Sequence, residues 1–250
     1  MRVSVTGCLV AALLFASAGG ALAQTADEVV DKAVAALGGR EALSKLTSRS
    51  TSGKISVSTP AGEVPGTVEV FNQAPNKVRT LITLDLSSLG AGAMTVDQRF
   101  DGTTGFAADS MQGNRDITGD QLANMKNADF PTPLLRYKER GTKIELGPKE
   151  KVGDHDVQVL VITPQTGPTS RVSIDTQSWL PIRLVQTLEL PEVGRVEQTS
   201  DLSDYREVDG VKVPFGIHNV SAVQTVNITL TKVEHNVKID QALFSKPGGV

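Results

Sequence analysis

Cysteine is nearly absent. The single copy, Cys8, sits in an apolar stretch at the N-terminus, so the rest of the chain offers no disulfide, thiolate nucleophile or cysteine-bound metal site. Aromatic residues are only 4% of the chain and the formal net charge is −3, with acidic and basic side chains interspersed. That composition supplies neither a phosphate track nor a base-stacking platform, and excludes nucleic acid as a partner. No G-x-S-x-G, H-E-x-x-H or P-loop occurs. Past residue 23 no apolar run is long enough to span a bilayer.

What is present begins with an export signal. Arg2 precedes the apolar or small residues Cys8 to Ala18, and Ala21-Leu22-Ala23 before Gln24 is an A-x-A cleavage site. Residues 1–23 read as a cleaved signal peptide and 24–250 as one exported, periplasmic domain without a transmembrane anchor. Val5-Thr6-Gly7-Cys8 superficially matches a lipoprotein box, but there the apolar segment must precede the cysteine and here it follows.

Thr25-Ala26-Asp27-Glu28 is a capping box. Val29, Val30, Ala33, Val34 and Leu37 follow on one helical stripe, and Gly38-Gly39 supplies the left-handed stop. A second short helical piece over 40–46 turns Leu43 and Leu46 inward. From Ser48 the period changes to two. Strands are expected over 51–58, 64–72, 77–86, 93–101, 105–109, 142–146, 156–163, 171–175, 181–190 and 193–202, then over the hairpin 204–215 and 226–231. In the hairpin Asp209-Gly210 suits a type I′ turn, which sets Val208 opposite Val211 and Glu207 opposite Lys212. Parity changes between Leu230 and Val233, so a β-bulge or strand end is expected near Lys232.

One helix interrupts the sheet. Thr118 to Lys126 opens on a capping residue, carries Leu122 and Met125 on a narrow stripe with Phe130 beyond, and is ended by Pro131 and Pro133. The fold class is mainly β (α+β): a strongly curved antiparallel sheet of about ten or eleven strands forming an unclosed barrel, with an N-terminal helix and a mid-chain helical lid.

Candidate chemistry is sparse. His155 in Gly153-Asp154-His155-Asp156 has the residue types of a metal cluster, but Gly and Asp there are better explained as a polar hairpin tip. His218 and His235 sit on strands. Asp101, Asp109, Asp116 and Asp120 lack calcium-loop spacing. No cofactor, metal site or catalytic residue is assigned, and the chain is read as non-enzymatic.

Several stretches together carry a resemblance: Ala36-Leu37-Gly38-Gly39, Gly66 to Phe71 with Ala74-Pro75-Asn76-Lys77, Phe100-Asp101-Gly102-Thr103-Thr104-Gly105-Phe106, Asp204 to Phe215, and Asn236 to Asp240 with Phe244 and Pro247. The chain resembles bacterial outer-membrane lipoprotein-sorting-like proteins, a LolA-like superfamily. The resemblance implies an unclosed barrel under a helical lid that holds the acyl chains of lipids or lipoproteins, with inner- and outer-membrane sorting proteins as partners. In the lipoprotein carrier that the group is similar to, a strand arginine is held to latch the lid. Arg79, Arg99, Arg171 and Arg183 lie on strands here, and no motif transfers the role to any of them.

The expected function is therefore a carrier in envelope lipid or lipoprotein sorting. Ile82, Leu84, Leu86, Met94 and Val96 are expected to line the sheet side of its cavity, and Leu122, Met125 and Phe130 the lid. Two alternatives differ in kind: an interaction or sensor module whose core is filled, and a hydrolase.

Overall fold

The fold is described from a computed structural model over residues 24–59, 62–190 and 193–247; the expected signal peptide lies outside these residues. Thr25 closes the capping box with Glu28, and helix α1 (Ala26–Ala36) follows. Helix α2 (Gly39–Ser44) begins after Gly38, whose φ of +125° only glycine adopts freely. This turn lets the chain fold back so that the Lys212 N–H donates to the Leu37 carbonyl at 2.9 Å.

Thirteen strands form one antiparallel sheet. They are β1 (Ser48–Thr59), β2 (Gly62–Gln73), β3 (Lys77–Asp85), β4 (Ala93–Phe100), β5 (Gly105–Asp109), β6 (Gly113–Ile117), β7 (Lys143–Val152), β8 (His155–Thr163), β9 (Ser170–Asp175), β10 (Pro181–Leu190), β11 (Gly194–Val208), β12 (Val211–Ser221) and β13 (Thr225–His235). The spatial order is β6-β5-β4-β3-β2-β1-β13-β12-β11-β10-β9-β8-β7, so β1 and β13 meet in the middle while β6 and β7 are unjoined edges. The barrel is open, as expected, with more strands than expected. Strand β6, Gly-Asn-Arg-Asp-Ile, has no apolar alternation to announce it and is defined by its ladder with β5.

The Asp209-Gly210 turn has positive φ at both residues and sets Val208 against Val211 and Glu207 against Lys212, as the sequence predicts. The parity change is a bulge: Ser52 pairs with Lys232 but Gly53 with Leu230, so Thr231 is passed over. Gly53 is needed there, because a Cβ would meet the Thr229 carbonyl oxygen at 2.6 Å.

Alternation along a meander sorts the connections. β1–β2, β3–β4, β5–β6, β8–β9, β10–β11 and β12–β13 turn at one end of the strands, and the other five hairpins turn at the opposite end. The second end is plugged. Val29, Val30, Ala33 and Val34 of α1, with Leu43, Leu46, Leu134 and Leu135, bury themselves against Leu160, Ile174, Leu180, Val211, Val213, Phe215 and Leu230. Each such Val, Leu, Ile or Phe side chain contributes about 1.5–3 kcal/mol of transfer free energy. Toward the first end, a smaller cluster of Ile55, Val57, Val64 and Val68 occupies the inner face, with Ile82, Leu84 and Leu86 half-buried beside it. The C-terminal segment lies on the outer face, where Arg99 Nη1 donates to the Ser245 carbonyl at 3.1 Å and Phe244 is buried.

Candidate functional site

Helix α3 (Gly119–Asn127) follows extended Thr118, and its charges complement the helix dipole, with Asp120 in the first turn and Lys126 in the last. None of its residues is fully buried. Polar groups hold it instead. The Asp120 N–H donates to Glu189 Oε2 at 2.9 Å, Asn124 Nδ2 to the Thr187 carbonyl at 2.9 Å, and Asn127 Nδ2 to the Thr166 carbonyl at 2.8 Å. Arg195 also pairs with Asp120 at 2.7 Å. On the other side Asn76 Nδ2 donates to the Lys126 carbonyl at 3.1 Å. A helix with no fully buried side chain, tied down by several exchangeable hydrogen bonds, is suited to opening.

Pro131 and Pro133 then end the helical stretch, and a 3-10 turn, Pro133–Leu135, is capped by the Thr132 hydroxyl. Tyr137 OH donates to Asp27 Oδ1 at 2.5 Å, fastening this segment to α1. Buried Asp129 receives both Nε and Nη2 of Arg140, at 2.9 and 2.5 Å.

Between this crossing segment and the inner face of β7 to β11 lies a cavity of about 490 Å³. Leu134, Ile144, Ile162, Val172, Leu184 and Leu202 form its apolar walls. The register explains their convergence: Ile144 faces Ile162, and Val172 faces Leu184, so alternate residues of successive strands stack on one face. Asn124, Asn127, Asp129, Tyr137, Arg140 and Gln186 supply polar groups around it. The size lies within the roughly 300–1,000 Å³ common for small-molecule sites, and the mixture of apolar wall and few polar groups is that of a binding pocket.

The sequence-predicted residues fall elsewhere. Ile82 is directly opposite Val96 and Leu84 opposite Met94, so these four do meet on one inner face. Leu86 packs with Ile82 and Leu84 against the smaller cluster. They belong to the β1–β4 half of the sheet and do not line the 490 Å³ cavity. Leu122 and Met125, both half-buried, lie on the α3 side away from Asn124 and Asn127, which do line it. Phe130 is buried in the main core. The apolar inner surface is thus in two parts, and local alternation led to only one of them.

Sequence reading also passed over Arg49 on β1. Its guanidinium lies over the Phe130 ring, 5.2 Å from the centroid, and its buried Nε has no hydrogen-bond partner. Burial pushes its pKa down to about 10. A strand arginine under an apolar patch has no signature in the local pattern. The four arginines considered from sequence are otherwise engaged: Arg79 and Arg99 share Asp97, Arg171 pairs with Glu197 and Arg183 with Asp201. The first pair occupies the outer face, because Arg79 and Arg99 have the opposite parity to Ile82 and Val96.

His155 is at the β7–β8 tip, with Nδ1 3.3 Å from Asp175 Oδ1. His218 Nδ1 is 2.5 Å from Asn227 Oδ1, and His235 Nδ1 is 3.1 Å from Asp209 Oδ2. Among the described residues no group of three or more His, Cys, Asp and Glu side chains is placed to hold a metal, and no helix is long and apolar enough to cross a membrane.

The sequence matches no protein-family model and no curated protein. Solved structures do match. A LolA superfamily protein from Nitrosomonas europaea superposes with a TM-score of 0.57 at 14% identity, over 90% of this chain and 99% of that one. A DUF1329 family protein from Desulfovibrio piger gives 0.56 at 13% identity, over 88% and 97%. An outer membrane lipoprotein-sorting protein domain from Vibrio parahaemolyticus gives 0.54 at 11% identity, over 88% and 95%. At such identities the likeness concerns the backbone, and it agrees with the open thirteen-stranded sheet under its helices: this chain has the LolA-like fold.

Proposed function

We propose that this protein is an exported, periplasmic, non-catalytic carrier that binds acyl chains of lipids or lipoproteins between the sheet and the α3 segment. The observation that carries this reading is the 490 Å³ apolar cavity beneath a helix that has no fully buried residue and is tied to its surroundings by polar clasps. The likeness in fold to a lipoprotein-sorting protein domain supports it. Burying an acyl chain contributes on the order of 0.8 kcal/mol per methylene, so about ten methylenes supply roughly 8 kcal/mol before ordering costs, without a catalytic group. The half-buried patch of Ile82, Leu84, Leu86, Met94 and Val96 would take a second chain or the remainder of a long one, with Leu122 and Met125 closing over it.

Native mass spectrometry with lipid extraction, on protein purified from a bacterial periplasm, tests the proposal. A bound species of lipid or acyl mass is expected. A bare polypeptide mass that stays unchanged when lipids and lipopeptides are offered overturns it, in favour of an interaction module with a filled core.

A further inference from the structure

Exposed large hydrophobic side chains are not scattered over this molecule. Among the described residues six are exposed: Leu89, Met111, Leu146, Val193, Val220 and Val223. All but Leu146 sit on or beside connections at the end of the strands opposite the helical plug: Leu89 on β3–β4, Met111 on β5–β6, Val193 on β10–β11, and Val220 and Val223 at β12–β13. Met111 is 69% exposed and Val193 53%. Four separate hairpins thus each raise at least one aliphatic side chain into solvent at the same rim.

Charge follows the opposite distribution. Among the described residues of the hairpin turns at this rim none is charged. At the plugged end the turns carry Asp101, Asp154 and Asp209. Two carboxylates beside the apolar rim are turned into its loops: Asp85 Oδ1 accepts from the Ser87 N–H at 2.9 Å, and Asp109 Oδ1 from the N–H groups of Met111 and Gln112 at 2.8 and 3.0 Å. The lining of the cavity reaches this rim as well, through Pro164, Thr166 and Pro168 of the β8–β9 connection.

We infer that this rim docks on the interface of a zwitterionic lipid bilayer, with the aliphatic tips entering it, so that an acyl chain passes between bilayer and cavity without crossing water. Separate aliphatic tips on discontinuous loops suit a fluid surface, which accepts each one independently, better than a rigid protein surface. The absence of basic residues from these connections removes the electrostatic attraction that anionic lipid would need. The passage of cargo rests on the carrier reading; the docking rests on the rim alone.

The test uses the chain from Gln24 onward, which contains every described helix and strand and no cysteine. Val223→Cys carries an environment-sensitive fluorophore, and Asp154→Cys at the opposite end is the control. With phosphatidylcholine vesicles the probe at 223 should shift to the blue and the probe at 154 should not. Leu89→Asp with Met111→Asp should weaken partitioning by about tenfold or more, since each buried aliphatic tip contributes on the order of tenfold. Leu146→Asp, off the rim, should leave it unchanged. No shift at 223, an equal shift at 154, or undiminished binding by the double variant overturns docking, as does capture of the rim by a periplasmic protein without any vesicle binding. Uptake of a monomeric short-chain acyl probe, measured on the same double variant, should persist; its loss in the parent chain would overturn the carrier reading and leave docking standing.

Discussion

The guanidinium of Arg49, on the central strand β1, lies 5.2 Å from the centre of the Phe130 ring, the residue where the α3 segment turns down into the core. It joins sheet and lid by a cation–π contact while its Nε stays buried and unpaired. Such a contact is worth about 0.5–2 kcal/mol. The unpaired donor costs about as much. Arg49→Ala should therefore loosen the lid: amide exchange around Phe130, whose N–H donates to the Pro75 carbonyl at 2.7 Å, should accelerate several-fold in hydrogen–deuterium exchange. Arg49→Met, which keeps the packing and drops the orphaned donor, should leave the thermal midpoint unchanged or raise it.

His235 faces Arg49 across the β1–β13 ladder, and its side chain is 1% exposed. Burial lowers its pKa below the ordinary 6.5; the hydrogen bond to Asp209 opposes this, and the charge of Arg49 adds to it. The unfolded chain therefore binds the proton first, so this residue makes stability fall as pH drops through and below about 6.5. Denaturant titrations at pH 7.5 and 5.5 should show a loss in the parent that is reduced in His235→Gln. An equal loss in both would remove His235 from the explanation.

Asp97 is shared by Arg79 and Arg99, at 2.8 and 2.7 Å, on an outer face closed over by the C-terminal segment. Burial alone would raise its pKa, but the hydrogen bonds from the two guanidinium groups outweigh that and hold it below 3.8. Its stabilisation is present above that value and is lost as pH falls through the lowered one. Asp97→Ala leaves two arginines facing each other without a counter-ion and should cost about 3 kcal/mol at neutral pH, measured by urea unfolding.

The two halves of the apolar surface can be separated by mutation. Leu184→Trp intrudes into the 490 Å³ cavity and should weaken binding of a fluorescent acyl probe about tenfold or more, while Leu84→Asp places a charge on the β1–β4 patch. If the patch belongs to the binding surface, Leu84→Asp should also lower affinity in a protein whose circular dichroism is unchanged. Retained affinity would confine the ligand to the cavity under α3.

Legibility in the sequence followed the range of the forces involved. The Thr25–Glu28 capping box, the Asp209-Gly210 turn and the bulge beside Lys232 depend on residues a few positions apart or on a break in parity, and all three are found. Strand β6 was hidden because Gly113 to Ile117 owes its conformation to β5 and has no periodicity of its own. Arg49 was hidden for a similar reason: its environment is made by Phe130 and His235, distant in sequence.

The sequence by itself therefore determined the alternation, the turns and the helix ends, and through them a curved antiparallel sheet with one helical interruption, because backbone geometry and local hydrogen bonding decide these. Only the tertiary structure decided which inner face stays uncovered. Leu134, Ile144, Ile162, Val172, Leu184 and Leu202 enclose one space only when five strands are laid side by side and the α3 segment crosses them. The same assembly gathers four aliphatic hairpin tips at one rim, because strand direction rather than local pattern fixes the end at which each connection turns.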